Sequence, residues 1–220
     1  MRRLMILVAL AVAALGLSLA GGSAFAASSA WHVGYYNPSG NALSNAQASS
    51  VAVGVASLDF TTQPDTALLV TSQKVKNSTL LGDMTGKSIT ATFTISGATG
   101  AFTYYGEGKP SNPCGTPASV RLYFETSNAG GFDPTHYWWS NPASAVLANG
   151  TVTFKTTVDA AMWSDWNGQT GTSVPDAFAA AAANVTTVGL SFGGGCFFEN
   201  GVGTTDGLGT FVLDSYTATN

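Results

Sequence analysis

The sequence predicts a mainly β fold, a jelly-roll-type antiparallel β-sandwich with one short helix. Apolar residues alternate with polar ones in short runs, turn residues separate these runs, and only 9% of the residues are charged. The composition, 45% hydrophobic and 11% aromatic, supplies enough apolar surface for a core and excludes a disordered chain. A length of 220 residues fits one such domain.

Seven segments carry the strand pattern. In the clearest of them, residues 88–95, Ile89 and Phe93 belong to one face and threonines to the other. The other strands are predicted at 67–71, 120–125, 137–140, 151–158, 188–192 and 209–217.

Two local signals refine this pattern. Asn149 and Gly150 stand between apolar runs and predict a hairpin turn into the strand at 151–158. Ser173 and Asp176 have the spacing of a capping box, which predicts a helix over 177–183 that ends at Asn184.

The first 26 residues have the features of a bacterial signal peptide. Arg2 and Arg3 precede an apolar run, and the segment ends in Ala24-Phe25-Ala26, which predicts cleavage after Ala26. We therefore expect a secreted, extracellular protein whose mature chain has no membrane span; the alternative is an uncleaved membrane anchor. Residues 27–60 are interpreted as an N-terminal extension whose packing the sequence leaves open, and residues 61–220 as the β-sandwich domain.

Charge and cysteine content limit the classes of partner and ligand. Without Arg2 and Arg3 the mature chain has 6 basic and 12 acidic residues, a net charge of −6, which excludes a basic nucleic-acid-binding surface. Its two cysteines, Cys114 and Cys196, predict a disulfide that closes a loop of about 80 residues. A metal site at these thiols is the alternative, but no histidine lies near them in the sequence.

Aromatic and polar residues are concentrated in the middle of the chain. Flat aromatic rings suit the apolar faces of sugars, and polar side chains suit their hydroxyls, so this concentration predicts a glycan-binding face. The alternative is that the tryptophans belong to the core between the sheets. The candidate residues are Arg121, Tyr123 and Glu125 on one strand face, Trp138 and Trp139 on the next strand, and Trp163, Asp165 and Trp166 in a predicted loop.

Two further features leave alternatives open. Arg121 and Glu125 lie on the same strand face and either contact a ligand or pair with each other or with a neighbour across the sheet; Lys155 is a further candidate for this face. The loop that follows Gly193-Gly194-Gly195 either offers Glu199 and Asn200 to a ligand or is a plain connection held by the disulfide.

Nothing in the sequence presents a complete catalytic arrangement. Glycosidases need two carboxyl groups, and the chain offers Glu107, Glu125, Glu199 and Asp165. There is no G-x-S-x-G motif, and only two histidines are present to act as a base. No cofactor is expected; a structural calcium ion is left open, because Asp133, Asp206 and Asp214 lie in or beside predicted loops, but no regular D-x-D-x-D spacing defines a ligand set.

Several segments resemble carbohydrate-binding modules with a galactose-binding-like jelly-roll β-sandwich. The resemblance rests on residues 80–93, 120–125, 152–158 and 209–217, and it covers about 66–219. The chain is also similar to uncharacterised secreted bacterial proteins that share the Gly-Gly-Gly-Cys-Phe-Phe-Glu-Asn loop. For this chain, the resemblance implies a jelly-roll fold and, by analogy, a glycan ligand.

The sequence therefore predicts a secreted, non-catalytic β-sandwich that binds a glycan or a similar polar ligand, with a polysaccharide as the expected partner. One alternative is an extracellular surface or matrix interaction protein without a small-ligand site. Another is a small polysaccharide-cleaving enzyme that uses Glu125 with Glu199 or Asp165. The sequence does not set the oligomeric state.

Overall fold

The computed structural model describes residues 30–36, 43–47, 54–72, 80–127 and 129–220. The predicted signal peptide, residues 1–26, lies outside the described residues. The secondary structure consists, in chain order, of β1 (His32–Tyr36), β2 (Leu43–Gln47), β3 (Ala56–Asp59), β4 (Thr66–Thr71), β5 (Ser88–Ser96), β6 (Phe102–Tyr104), β7 (Ser119–Thr126), β8 (Tyr137–Ser140), β9 (Ala145–Val146), β10 (Gly150–Thr157), β11 (Trp163–Asp165), α1 (Pro175–Ala183), β12 (Val185–Gly193), β13 (Val202–Thr204) and β14 (Thr210–Thr219).

These strands form two antiparallel sheets. The larger sheet has the order β11-β8-β7-β12-β4-β1-β2, and β13, β6 and β9 pair beside this path. The smaller sheet has the order β10-β5-β14-β3. Because successive side chains of a strand face opposite sides, each sheet directs every second residue into the space between the two.

The pairing of eight of these strands is that of a jelly roll. The pairs are nested along the chain: β3 with β14, β4 with β12, β5 with β10, and β7 with β8. Such nesting arises when one long antiparallel hairpin is rolled up so that its halves form two facing sheets. The predicted fold class is therefore confirmed.

Aromatic side chains fill the space between the sheets. Phe93 and Phe211 stack with their ring centroids 4.8 Å apart, and Phe192 meets Phe211 edge to face at 5.3 Å. All three are fully buried. Each such side chain contributes about 2–3 kcal/mol by leaving water, so these rings are a main source of the sandwich's stability.

The N-terminal stretch is part of both sheets. β1 pairs with β4 in the larger sheet, and β3 pairs with β14 in the smaller one. Trp31 and Val33 are buried, and the ring of Trp31 lies 5.3 Å from that of Tyr216. The described parts of residues 27–60 therefore pack onto the sandwich, which answers the question that the sequence left open.

The helix is present, but its predicted cap is wrong. The residue before α1 is Val174, which makes no side-chain capping bond. Ser173 instead donates from its hydroxyl to the carbonyl oxygen of Thr170 at 2.7 Å. Pro175 occupies the first turn, where its missing N–H costs nothing, so a side-chain cap is less needed. The helix ends at Asn184 as predicted.

The hairpin predicted at Asn149 and Gly150 is also wrong. The strand before it, β9, pairs with β7 in the larger sheet, whereas Gly150 begins β10 in the smaller sheet. The Asn149 side chain accepts from the backbone N–H of Ala98 at 3.2 Å and donates to its carbonyl oxygen at 2.6 Å. The two residues therefore form a crossing between the sheets, because turn residues suit a change of sheet as well as a hairpin.

No helix in the described ranges is long and apolar enough to cross a membrane.

Candidate ligand-binding face

Side chains of β7 and β8 form a second surface on the larger sheet, on the side away from the core. Tyr123 lies opposite Trp139, and Glu125 lies opposite Tyr137. Together with Arg121 these residues form what we call the outer face. The alternation that buries Phe124 between the sheets places its neighbours Tyr123 and Glu125 on the outer face, as the sequence predicts.

Four rings at one end of the outer face form an aromatic platform. The centroid of Trp166 lies 5.5 Å from that of Phe132, 6.0 Å from Tyr137 and 5.8 Å from Trp139. Phe132 and Trp166 are 61% and 49% exposed, although large apolar side chains are usually buried. Tyr137 is half-buried and Trp139 is buried, so Phe132 and Trp166 are the accessible rings of the platform. Neighbouring exposed rings of this kind mark a binding surface.

Asp165 fixes the turn that carries Trp166. One carboxylate oxygen, Oδ1, accepts from the backbone N–H groups of Asn167 and Gln169 at 2.9 and 2.8 Å. The residue is fully buried at the end of β11, a short strand where the sequence predicted a loop. The prediction that Asp165 contacts a ligand is therefore corrected: it positions Trp166.

Trp138 and Trp163 belong to the core. Neither has any exposed surface, and the centroid of Phe124 lies 6.3 Å from Trp138 and 4.7 Å from Trp163. Their indole N–H groups donate to the carbonyl oxygens of Thr135 and Thr157 at 2.7 and 2.9 Å. Since Trp139 faces outward, its neighbour Trp138 must face inward, and both Trp138 and Trp163 are removed from the candidate site.

The connection between β12 and β13 crosses the outer face. Phe198 packs there against Leu68, Tyr123 and Trp139 in an apolar cluster separate from the main core. The indole N–H of Trp139 donates to Ser191 Oγ at 2.9 Å, and Ser191 Oγ donates to the carbonyl oxygen of Phe198 at 2.8 Å. These bonds hold the connection against the platform.

Arg121 and Glu125 do not pair with each other. Arg121 donates to the carbonyl oxygen of Ser140 at 2.7 Å, and its guanidinium carbon lies 4.5 Å from the centroid of Phe198. Burial lowers the pKa of Arg121. Arg121 thus supports the connection over the outer face, while Lys155 lies exposed on β10 of the other sheet and does not join this face.

The three glycines of this connection allow close packing. A Cβ on Gly194 would overlap the ring of Tyr104, and Gly195 has a φ of +66° beside the Asn112 side chain. Asn200 accepts from the N–H of Gly194 at 2.8 Å and donates to the carbonyl oxygen of Tyr105 at 2.7 Å. Asn200 is therefore a structural residue, and Gly194 and Gly195 are needed for the loop's shape.

The predicted disulfide is present. Cys114 and Cys196 are bonded across a sequence separation of 82 residues. Beside the bond, the N–H of Cys196 donates to Asn112 Oδ1 at 2.7 Å, and that of Gly195 donates to the carbonyl oxygen of Thr116 at 2.8 Å. The disulfide thus joins the segment before β7 to the connection that carries Glu199.

A cavity of about 430 Å³ lies between these segments and the platform, and we call it the site cavity. Its volume is in the range of small-molecule binding sites, and aromatic rings and polar groups share its wall. Of the residues that the sequence offered for ligand binding, Trp139, Trp166, Glu199 and Asn200 line it. The full lining is Tyr105, Gly106, Lys109, Ser111, Asn112, Trp139, Trp166, Phe197, Phe198, Glu199 and Asn200.

Glu199 and Glu125 are electrostatic neighbours on the outer face. Burial, and then the charge of Glu125, raise the pKa of Glu199 to about 8. Glu125 accepts from the hydroxyls of Tyr123 and Thr187, each at 2.7 Å. Burial and the two carboxylates raise the pKa of Tyr123 well above its ordinary value. Glu199 therefore carries its proton at neutral pH and is a hydrogen-bond donor.

Two polar atoms of the lining lack a partner in the described part of the chain. They are Oε2 of Glu199 and Nδ2 of Asn112, both shielded from solvent. Buried polar atoms are usually hydrogen-bonded, so this pair marks a site for an external partner. The sequence interpretation missed Asn112; its position two residues before Cys114 is the signal that could have placed it beside Glu199.

The three aspartates considered for calcium lie in turns or strands of their own. Asp133 accepts from Thr135, Asp206 from Leu208 and Asp214 from Thr94. In the described ranges no group of three or more histidine, cysteine or acidic side chains lies close enough together to hold a metal ion.

Comparison with known proteins gives no match to a family model, to a curated protein or to a solved structure. The resemblance to carbohydrate-binding modules therefore stays a prediction, and the arguments for function rest on the geometry of the outer face.

Proposed function

We propose that this chain is an exported protein that binds a polysaccharide or other glycan on the outer face without cleaving it. The observation that carries the proposal is the pair of exposed platform rings, Phe132 and Trp166, beside the site cavity. Trp166 and Phe132 present flat apolar surfaces to solvent, and two residues that line the cavity adjoining Trp166 each have a polar atom without a partner in the described part of the chain. Sugars need this combination, because their ring faces are apolar and their edges are polar.

The disulfide and the predicted signal peptide support export. Disulfides persist in oxidising compartments and are rare in the cytosol, and the described cysteines are both in one bond. A low-charge β-sandwich with a net charge of −6 after cleavage also favours an uncharged glycan over an anionic polymer.

The test is retention of the purified protein on a panel of immobilised and insoluble polysaccharides, with and without calcium. We expect retention on one class of polymer, and at least a tenfold weaker retention of Trp166→Ala. Leu208→Ala is the matched control, because Leu208 is equally exposed, at 53%, in the turn before β14. No retention on any polymer, combined with self-association that rises with concentration, would instead support a surface or matrix interaction protein.

Cleavage of the bound glycan is a second candidate, favoured by the neighbouring carboxyl groups of Glu125 and Glu199. A glycosidase pairs one protonated and one ionised carboxyl group, and Glu199 keeps its proton at neutral pH. The test is release of reducing ends from the retained polysaccharide. Release that Glu125→Gln abolishes would establish cleavage, and its absence in the unaltered protein would reject it.

A further inference from the structure

The polar groups of the site cavity indicate the chemical group that it binds. Asn112 and Glu199 both line this cavity, and each has one solvent-shielded polar atom without a partner among the described residues. Asn112 is only 5% exposed, so bulk water does not satisfy its amide nitrogen. A ligand that bonds to both atoms would satisfy them, whereas an apolar ligand would leave them buried without a partner.

The orientation of Asn112 makes its free atom a donor. Its Oδ1 already accepts from the N–H of Cys196 at 2.7 Å. The disulfide to Cys114 fixes Cys196 in turn. The NH₂ group is therefore the part of the amide left for a ligand, and an NH₂ group only donates.

Glu199 presents a second donor. Its carboxyl group is buried near Glu125, and the two negative charges would repel each other if both groups were ionised. Its pKa of about 8 agrees with a protonated group at neutral pH. A protonated carboxyl group donates one hydrogen bond. Lys109, also on the cavity wall, adds a third donor.

Aromatic rings form another part of the wall of the site cavity. Trp139, Phe197 and Phe198 supply ring surface beside the three donors. A group that fits this wall needs an acceptor oxygen with two lone pairs and a small apolar end. A carboxylate supplies the oxygen, and Lys109 would attract its charge, but it has no apolar end to pack against these rings.

We propose that the site cavity binds the acetamido group of an N-acetylated sugar. Its carbonyl oxygen accepts from Asn112 Nδ2 and from the carboxyl group of Glu199, and its methyl group packs against Trp139 and Phe198. The sugar ring then lies on Trp166 of the platform. This inference rests on the proposed function, because it assigns the substituent that the glycan-binding face distinguishes.

The experiment compares two trisaccharides of the same linkage by titration calorimetry. One is the β-1,4-linked trisaccharide of N-acetylglucosamine, and the other is the β-1,4-linked trisaccharide of glucose. We expect the N-acetylated ligand to bind at least tenfold more tightly, since glucose has no acetamido carbonyl oxygen to accept hydrogen bonds from Asn112 and Glu199.

Two variants distinguish the loss of a ligand hydrogen bond from the loss of the folded structure. Asn112→Asp keeps the oxygen that accepts from Cys196 but replaces the donor NH₂ by an acceptor, so we expect the tenfold preference to disappear. Glu199→Gln keeps a donor at the same place, so we expect the preference to remain. Near-UV circular dichroism verifies that both variants are folded. If either variant does not fold, the affinities of the two trisaccharides for the unaltered protein decide the question.

The outcomes distinguish this inference from the proposed function. Equal affinity for the two trisaccharides, or tighter binding of a polyuronate, would overturn the acetamido assignment and leave glycan binding standing. A protein that is retained by no polysaccharide and binds neither trisaccharide would overturn both. A tenfold preference that Asn112→Asp leaves unchanged would also overturn the assignment of the donors.

Discussion

The indole N–H of Trp139 donates to the hydroxyl oxygen of Ser191, 2.9 Å away on β12. The Ser191 hydroxyl donates to the backbone carbonyl oxygen of Phe198. One buried hydroxyl thus joins the platform to the connection between β12 and β13. Every donor and acceptor in these two hydrogen bonds has its partner, which makes the outer face rigid before any ligand arrives. A preorganised face binds more tightly, because less side-chain freedom is lost on binding.

The first prediction concerns Ser191. Ser191→Ala leaves the indole N–H of Trp139 and the carbonyl of Phe198 without their shared partner, so we expect the free energy of unfolding to fall by about 1–3 kcal/mol. Urea denaturation measures the change. Ser144→Ala, at an exposed position, is the control and should change stability by less than about 0.5 kcal/mol. Equal stabilities of the two variants would contradict the role of Ser191.

The second prediction separates core tryptophans from platform tryptophans. Trp138→Ala should lower the free energy of unfolding by about 3–5 kcal/mol, because it empties a fully buried site. Trp166→Ala should change stability far less, since Trp166 is half exposed, yet it should weaken ligand retention at least tenfold. Thermal unfolding and polysaccharide retention on the same samples test the pair. Loss of retention by a folded Trp138→Ala protein would count against the core assignment.

The alternation of β8 explains which part of the site was predictable. The pattern of residues 137–140 required the two adjacent tryptophans to face opposite sides, but not which side was the core. That choice depends on β7, whose Phe124 faces the smaller sheet and brings Trp138 with it. The strand was therefore predictable from local spacing, whereas the direction of each tryptophan needed the pairing between strands.

Long-range pairing also explains the other differences. Two cysteines have only one intramolecular partner choice, so Cys114 and Cys196 could be paired from the sequence. Asn149 and Gly150 correctly indicated a turn, but the strand partner predicted from them was wrong. The strand after the turn, β10, pairs with β5 from much earlier in the chain. Asn112 has no motif of its own and acquires its place opposite Glu199 only through the disulfide and the fold.

The third prediction concerns the disulfide. Cys114→Ser with Cys196→Ser should lower the free energy of unfolding by about 4.5 kcal/mol, the chain-entropy value for a loop of this length. Ligand affinity should fall as well, because the bond holds Asn112 and the Glu199 connection together. Urea denaturation and calorimetric titration measure the two effects. A double variant with unchanged affinity would show that the Asn112–Cys196 hydrogen bond alone suffices to shape the cavity.

The fourth prediction is a pH dependence of stability that originates at Glu199. Its pKa is raised from 4.5 to about 8 by burial and by Glu125, so the folded chain keeps a proton that the unfolded chain loses. The resulting stability is fully present below pH 4.5 and is lost as the pH rises to about 8, by about 1.4 kcal/mol per pH unit. Glu199→Gln removes this fall because glutamine does not ionise, whereas Glu107→Gln, at an exposed position, should retain it. Urea denaturation at pH 5 and pH 8 tests the difference, and equal falls in the unaltered protein and Glu199→Gln would place the protonated carboxyl group elsewhere.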